Sequence, residues 1–181
     1  MKNYFLDIET YEEKGDEFKP VLNTNNFVLG CIIDENGKEN YFRKPKEMAD
    51  YIIKIMDNSK EKISVWGHNH EYDFYGYMKE YLKELLTKDK LKVIRTNPLI
   101  AIYDKKHYFL DTMAIISGSL ESIGKTLGLN KKEMPKSIKD TFELYPYIKR
   151  DCEITKKIIE ETKEKLNEIS KEGSWLGNSR V

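Results

Sequence analysis

The sequence predicts an α/β domain in which an antiparallel meander is extended by parallel strands into one mixed central sheet, with helices on both faces. Two observations carry this. Three short apolar runs, each bounded by turn residues, open the chain without a helix between them. Beyond them, segments of helical period alternate with further apolar runs, so the element order is βββαβα, followed by a hairpin and more helices. No internal repeat or low-complexity stretch suggests a different architecture.

The elements follow in order. NYFLDIE is aromatic and aliphatic in a short run and reads as the first strand. An acidic, polar loop is expected from Tyr11 to Asn26, and then FVLGCIID and ENYFR form a hairpin turning on Asn36 and Gly37. Pro45 opens a helix to about Asn58 whose apolar stripe is Met48, Tyr51, Ile52 and Ile55. KISVW is a buried strand running into a polar loop. The segment HEYDFYGYMKEYLKELL is then expected as one helix, its apolar side set by Tyr77, Tyr81 and Leu85. LKVIRT and LIAIYDKKHYFLDT supply the later strands, a helix begins near Ser119, and a lysine-rich loop holding Pro135 leads to a long final helix through YIKRDCEITKKIIEETKEKL.

Composition fits one domain over residues 1–172 with a polar tail at 173–181. The chain has 181 residues, 39% hydrophobic and 34% charged, enough for a substantial core. No run is long enough to span a bilayer and no secretory signal is present, so no membrane partner is expected. Cys31 and Cys152 stand in apolar patterns and read as structural thiols of a reducing cytoplasm. The 31 basic and 31 acidic residues cancel. That balance understates attraction for phosphate if some of the acids bind cations, because two divalent ions add four positive charges locally.

Some of the acids stand in settings suited to that task. Period 2 puts Asp7 and Glu9 on one strand face with Ile8 on the other, and two carboxylates so close stay ionised only if water or cations screen them. Asn69 and Asp73 lie four apart where a helix begins and can share a face. Tyr147 and Asp151, again four apart, project a phenol and a carboxylate from one side of the last helix. Hard oxygen donors without a His or Cys cluster suit magnesium or manganese better than zinc. The pattern points to phosphodiester hydrolysis at two Mg2+ or Mn2+ ions.

With its DIE, NxxYD and YxxxD elements, the chain resembles the DEDD exonuclease superfamily in its YxxxD branch, and most nearly the proofreading domains of the protein-primed family B DNA polymerases of bacteriophages and linear plasmids. Thr10 after the glutamate, His68 and Asn69 ahead of Tyr72, and the SLxxh element at Ser119, Leu120 and Ile123 carry the likeness further, as do Tyr147, Ile148 and Lys149. It extends from Phe5 to about Leu166. The resemblance implies a ribonuclease H-like exonuclease fold and a 3′-5′ exonuclease acting on the 3′ end of single-stranded DNA, in a bacterial or phage-infected cytoplasm. Asp7, Glu9, Asp73 and Asp151 would hold the metals and Tyr147 would orient the attacking water. Thr10, His68, Asn69, Tyr72, Ser119 and Leu120 would contact the strand.

The family also places a lysine near the scissile phosphate. Lys136 is the first candidate, in competition with Lys125, Lys131, Lys132 and Lys139. The length of the chain leads us to expect a free-standing exonuclease or an excised proofreading domain, with a polymerase or replication partner possible. An RNA 3′ exonuclease of the RNase D kind, an endonuclease on the same fold, and a catalytically silent strand- or protein-binding module remain open alternatives.

Overall fold

The computed structural model describes residues 1–15, 17–137 and 141–179. At its centre lies β1 (Lys2–Lys14), whose alternation sorts the core into two layers. Tyr4, Leu6 and Ile8 face one side of the sheet, while Phe5 and Tyr11 face the other. Asp7 and Glu9 therefore share the second face, as period 2 predicts.

β1 runs longer than expected. It continues past Glu9 through a register shift and folds back on β2 (Glu17–Pro20), turning at Gly15 with φ +64°. Part of the loop expected over 11–26 is thus a hairpin. The physical cause is Tyr11, which keeps the alternation going by burying its ring among Leu29, Leu144 and Tyr147.

The remaining strands are β3 (Phe27–Ile33), β4 (Glu39–Phe42), β5 (Ile63–Gly67), β6 (Leu91–Arg95), β7 (Ile100–Tyr103) and β8 (His107–Asp111). They assemble in the order β4-β3-β1-β5-β8-β7-β6, with β2 attached to β1 off this path. The pairs β1–β5 and β5–β8 are parallel and the others antiparallel. This is the mixed ribonuclease H-like sheet that the element order requires. The β3–β4 turn is centred where the sequence puts it: Gly37 takes φ +80°, and the Asp34 carboxylate accepts the backbone N–H groups of Asn36 and Lys38 at 2.9 Å.

Helices α1 (Pro45–Asp57), α2 (His70–Tyr77) and α3 (Leu82–Thr87) cover the first face. The single helix expected over 70–86 is broken. Met78 is drawn fully into the core and the Tyr81 hydroxyl turns to the Asp50 carboxylate on α1, so the chain bends between the two residues. Helices α4 (Leu120–Leu127) and α5 (Thr141–Ser179) cover the second face. Leu144, Ile148, Cys152 and Ile159 form the stripe by which α5 docks, each large apolar side chain contributing about 1.5–3 kcal/mol of burial. Cys152 and Cys31 meet across this contact as free thiols, Cys152 Sγ lying 3.5 Å from the Cys31 carbonyl.

The tail expected over 173–181 overlaps the last turns of α5 and ends outside the described residues, as does the candidate Lys139. No helix among the described residues is long and apolar enough to cross a membrane.

Candidate active site

The second face of β1 delivers Asp7 and Glu9 to the open end of the sheet, and α5 brings Asp151 beside them. One oxygen from each of these three carboxylates lies within 4.8 Å of the others. Tyr11, next along the same strand face, donates its hydroxyl to Glu9 Oε2 at 2.9 Å and fixes that side chain. Asp73 enters from the first turn of α2. The helix can lie close over β1 because residue 76 is glycine: a Cβ there would stand 2.9 Å from Ile8 Cδ1. The Ile8 backbone lies beside the Asp73 carboxylate, whose Oδ2 is buried with no hydrogen-bond partner among the described residues. Asp73 stands outside the tight triad, yet all four acids line one cleft.

Their electrostatics follow from crowding. Burial, then the charges of Glu9, Asp151 and Asp73, push the Asp7 pKa well above the usual carboxylate range. Burial and the Asp151 charge raise Glu9 to about 7 against the pull of its bonds to Asp7 and Tyr11. Asp73 is raised by burial and the Glu9 charge, with the Ile8 N–H opposing. Unaided, these acids therefore hold protons at pH values where exposed carboxylates have lost them.

A cation of the chain's own partly relieves the repulsion. Lys131, in the loop after α4, places Nζ 2.8 Å from both oxygens of Asp151 and 4.4 Å from the centre of the Tyr147 ring. Burial works against its charge, but Asp151 and the Tyr147 hydroxyl hold the ammonium above its ordinary pKa. Tyr147, one helical turn before Asp151, is raised to about 12 by burial and the Glu9 charge. At neutral pH it is a phenol and a hydrogen-bond donor.

The walls of the cleft carry most of the remaining sequence candidates. Thr10, Tyr72, Ser119 and Leu120 line it, together with Pro20 at the end of β2 and Val21 and Leu22 just beyond it. Thr10 Oγ1 lies 2.7 Å from Tyr72 Oη and donates to the Val21 carbonyl at 2.6 Å, tying the hairpin to α2. Ser119 caps α4 by accepting the Ser122 N–H at 3.2 Å.

Three sequence candidates stand elsewhere. The ring nitrogens of His68 lie 2.8 Å from Thr112 Oγ1 and 2.6 Å from the Gly118 carbonyl, so this side chain braces the loop that carries Ser119. Asn69 is exposed, with φ +60°, and its backbone N–H donates to Asp111. Lys136 is exposed and lines no part of the cleft; among the described residues the lysine that reaches the carboxylates is Lys131. Sequence reasoning passed over Asp111, whose carboxylate accepts the N–H groups of Asn69, His70 and Met113 at 2.8–3.0 Å and sets the entry to α2. It also passed over Tyr11, although this residue continues the alternation of Asp7 and Glu9.

No family model and no curated protein matches the chain. Solved structures do. Phi29 DNA polymerase complexed with single-stranded DNA superposes with a TM-score of 0.60 at 14% identity, over 90% of this chain and 32% of that one. The family B DNA polymerase of the hyperthermophilic archaeon Pyrobaculum calidifontis gives 0.60 at 16% identity, over 89% and 24%. The ternary complex of Phi29 DNA polymerase with primer-template DNA and incoming nucleotide gives 0.57 at 14%, over 87% and 30%. The fold is thus polymerase-related, and the chain spans about a quarter to a third of the length of these neighbours.

Proposed function

We propose that the chain is a metal-dependent 3′-5′ exonuclease of the DEDD type, YxxxD branch, removing nucleotides stepwise from the 3′ end of single-stranded DNA. The observation that carries this reading is the meeting of Asp7, Glu9, Asp73, Asp151 and Tyr147 in one cleft, on a fold of the kind found in DNA polymerases. Polymerisation is no part of the proposal. A proofreading role beside a polymerase partner, in a bacterial or phage-infected cytoplasm, is the setting it suits.

The residues fit a pair of divalent cations. The donors are carboxylate oxygens, three of them close enough to share one ion, and Asp73 Oδ2 is a buried acceptor with no hydrogen-bond partner among the described residues. Asp7, Glu9, Asp73 and Asp151 would hold the ions. Bound Mg2+ or Mn2+ would supply charge neutralisation and Lewis acidity toward water and the scissile phosphate.

The chain's own groups do the positioning. Tyr147, protonated at neutral pH, directs the attacking water by a hydrogen bond and leaves the base work to others. Lys131 offers an ammonium beside Tyr147 for a phosphate oxygen, the task the sequence first suggests for Lys136. The Tyr72 ring stacks on the terminal base and the hydroxyls of Thr10 and Ser119 bond sugar and phosphate, contacts that read no sequence. Leu120 closes the opposite wall.

The test is a gel time course on end-labelled single-stranded DNA with magnesium, manganese or chelator, run beside Asp7→Ala. A ladder shortening from the 3′ end, lost in chelator and in the variant, is expected. Equal cutting of a circular strand would replace the exonuclease with an endonuclease, and a preference for RNA of the same sequence would replace the substrate.

A further inference from the structure

Beyond the cleft, a second concavity wraps the far edge of the sheet, where β6 is the last strand and its outer edge has no strand neighbour among the described residues. Its volume is about 1000 Å³. The sequence KLKV explains its character: Leu91 and Val93 turn toward the core while Lys90 and Lys92 flank them, so an apolar floor acquires a basic rim. Lys105 joins them from the β7–β8 turn, and the half-buried ring of Tyr75 and the 43% exposed Leu86 complete the floor. Among the lining residues one acid, Asp89, stands against the three lysines, with Asp57 just outside them beside Lys90.

Two features set this groove apart from ordinary solvated lysines. Lys92 and Lys105 form no ion pair among the described residues, and Lys90 reaches only the outer range of one, 4.0 Å from Asp57. The turn is built at some cost: Asp104 and Lys105 both take left-handed backbone, φ +52° and +56°, in a turn type where glycine is favoured at the second position. A lysine is held there nonetheless, aimed at the groove rim.

The groove and the cleft share helix α2 as a wall. Tyr72 lines the cleft and Tyr75 lines the groove, and on helix α2 side chains three residues apart are neighbours, about 5–6 Å between Cβ atoms. A strand whose 3′ nucleotide lies over the carboxylates can therefore continue across α2.

We propose that this groove, with Tyr75, Lys90, Lys92 and Lys105 as its contacts, binds the single-stranded DNA that lies 5′ of the held end. An aromatic platform, an apolar floor and a basic rim without a base-reading pattern are the chemistry of sequence-independent strand binding. The proposal rests on the exonuclease reading for the strand's direction, but its test does not use hydrolysis. Oligothymidylates of three and fifteen nucleotides are titrated in chelator, by fluorescence anisotropy, against the wild-type chain and Lys90→Gln/Lys92→Gln/Lys105→Gln.

The fifteen-mer should bind at least tenfold more weakly to the triple variant, with the slope of log affinity against log salt reduced by about 2, from about 0.7 per lost phosphate contact. The three-mer should bind as before. Lys92→Glu alone should reproduce the length dependence if the triple variant folds poorly. Unchanged fifteen-mer affinity, or equal losses for both lengths, overturns the groove. Failure of the chain to hydrolyse DNA while the length dependence persists would overturn the exonuclease reading and leave the groove standing.

Discussion

The ammonium of Lys131 is equidistant, at 2.8 Å, from the two carboxylate oxygens of Asp151. Asp151 is almost fully buried and Lys131 is 24% exposed, so the pair is shielded from water on one side only. The chain thereby supplies a positive charge of its own to an acid intended, on our reading, for a metal.

Lys131→Met removes that charge and leaves Asp151 facing Asp7 and Glu9 uncompensated. In chelator the variant should lose about 1–3 kcal/mol, below the full cost of breaking a buried pair because Lys131 is partly solvated. Divalent metal should restore much of the loss. Urea melts with and without Mg2+ measure both, and equal stability of variant and wild type in chelator would refute the compensating role.

Asp7→Ala should abolish hydrolysis and weaken Mn2+ uptake in calorimetry, since Asp7 is central to the triad. Tyr147→Phe keeps the ring under Lys131 and loses only the hydroxyl, so a fall of about 10²-fold with metal uptake intact is expected. Equal effects of both substitutions would argue against this division of labour.

Without metal, stability should decline as pH rises from about 4.5 to about 7. Glu9 titrates near 7 in the folded chain, and Asp7 and Asp73 are also raised, so at pH 6 the folded chain keeps protons that the unfolded chain has released. Stability is fully present below the unfolded values and is lost as pH climbs through the folded ones. Melting temperatures in chelator across pH 5 to 8 test this, and Mg2+ should raise them more at pH 8 than at pH 5. A flat profile would contradict the crowding of the acids.

Tyr72→Ala should weaken single-strand binding through the lost ring and should also loosen the hairpin, because Tyr72 Oη meets Thr10 Oγ1. Tyr72→Phe separates the effects: stacking stays and only the hydroxyl contact goes. Anisotropy with a short oligonucleotide should therefore rank wild type and Phe close together, with Ala weaker by about 1–3 kcal/mol. An Ala variant that binds as tightly as wild type would remove Tyr72 from the strand site.

The acids were legible because periodicity alone assigns them to faces. A strand alternates and a helix repeats at four, which pairs Asp7 with Glu9 and Tyr147 with Asp151 on single faces; that the separate faces belong to one site follows from the resemblance of the ordered set, not from periodicity. Lys131 was not distinguishable from Lys136 because the loop after α4 has no period, and several lysines there compete equally until the fold brings Lys131 beside Asp151. The β1–β2 hairpin escaped for a different reason: EEKGDE reads as a solvated acidic loop, and only the burial of Tyr11 reveals that the strand continues. The break after α2 was hidden too, since Tyr77, Tyr81 and Leu85 satisfy helical spacing while Met78 and Tyr81 find better partners by bending. Asp111 carries no signal in FLDT that separates an organiser of three backbone amides from an ordinary strand-end acid.

The carboxylates of the triad come from opposite ends of the chain, two from its first strand and the third from its last helix. During synthesis the ribosome releases Asp7 and Glu9 long before Asp151 emerges, so a nascent chain holds only two acids of the triad until α5 docks. Vectorial translation thus acts as a safety catch: whatever chemistry the cleft performs is armed only once the whole domain has been made.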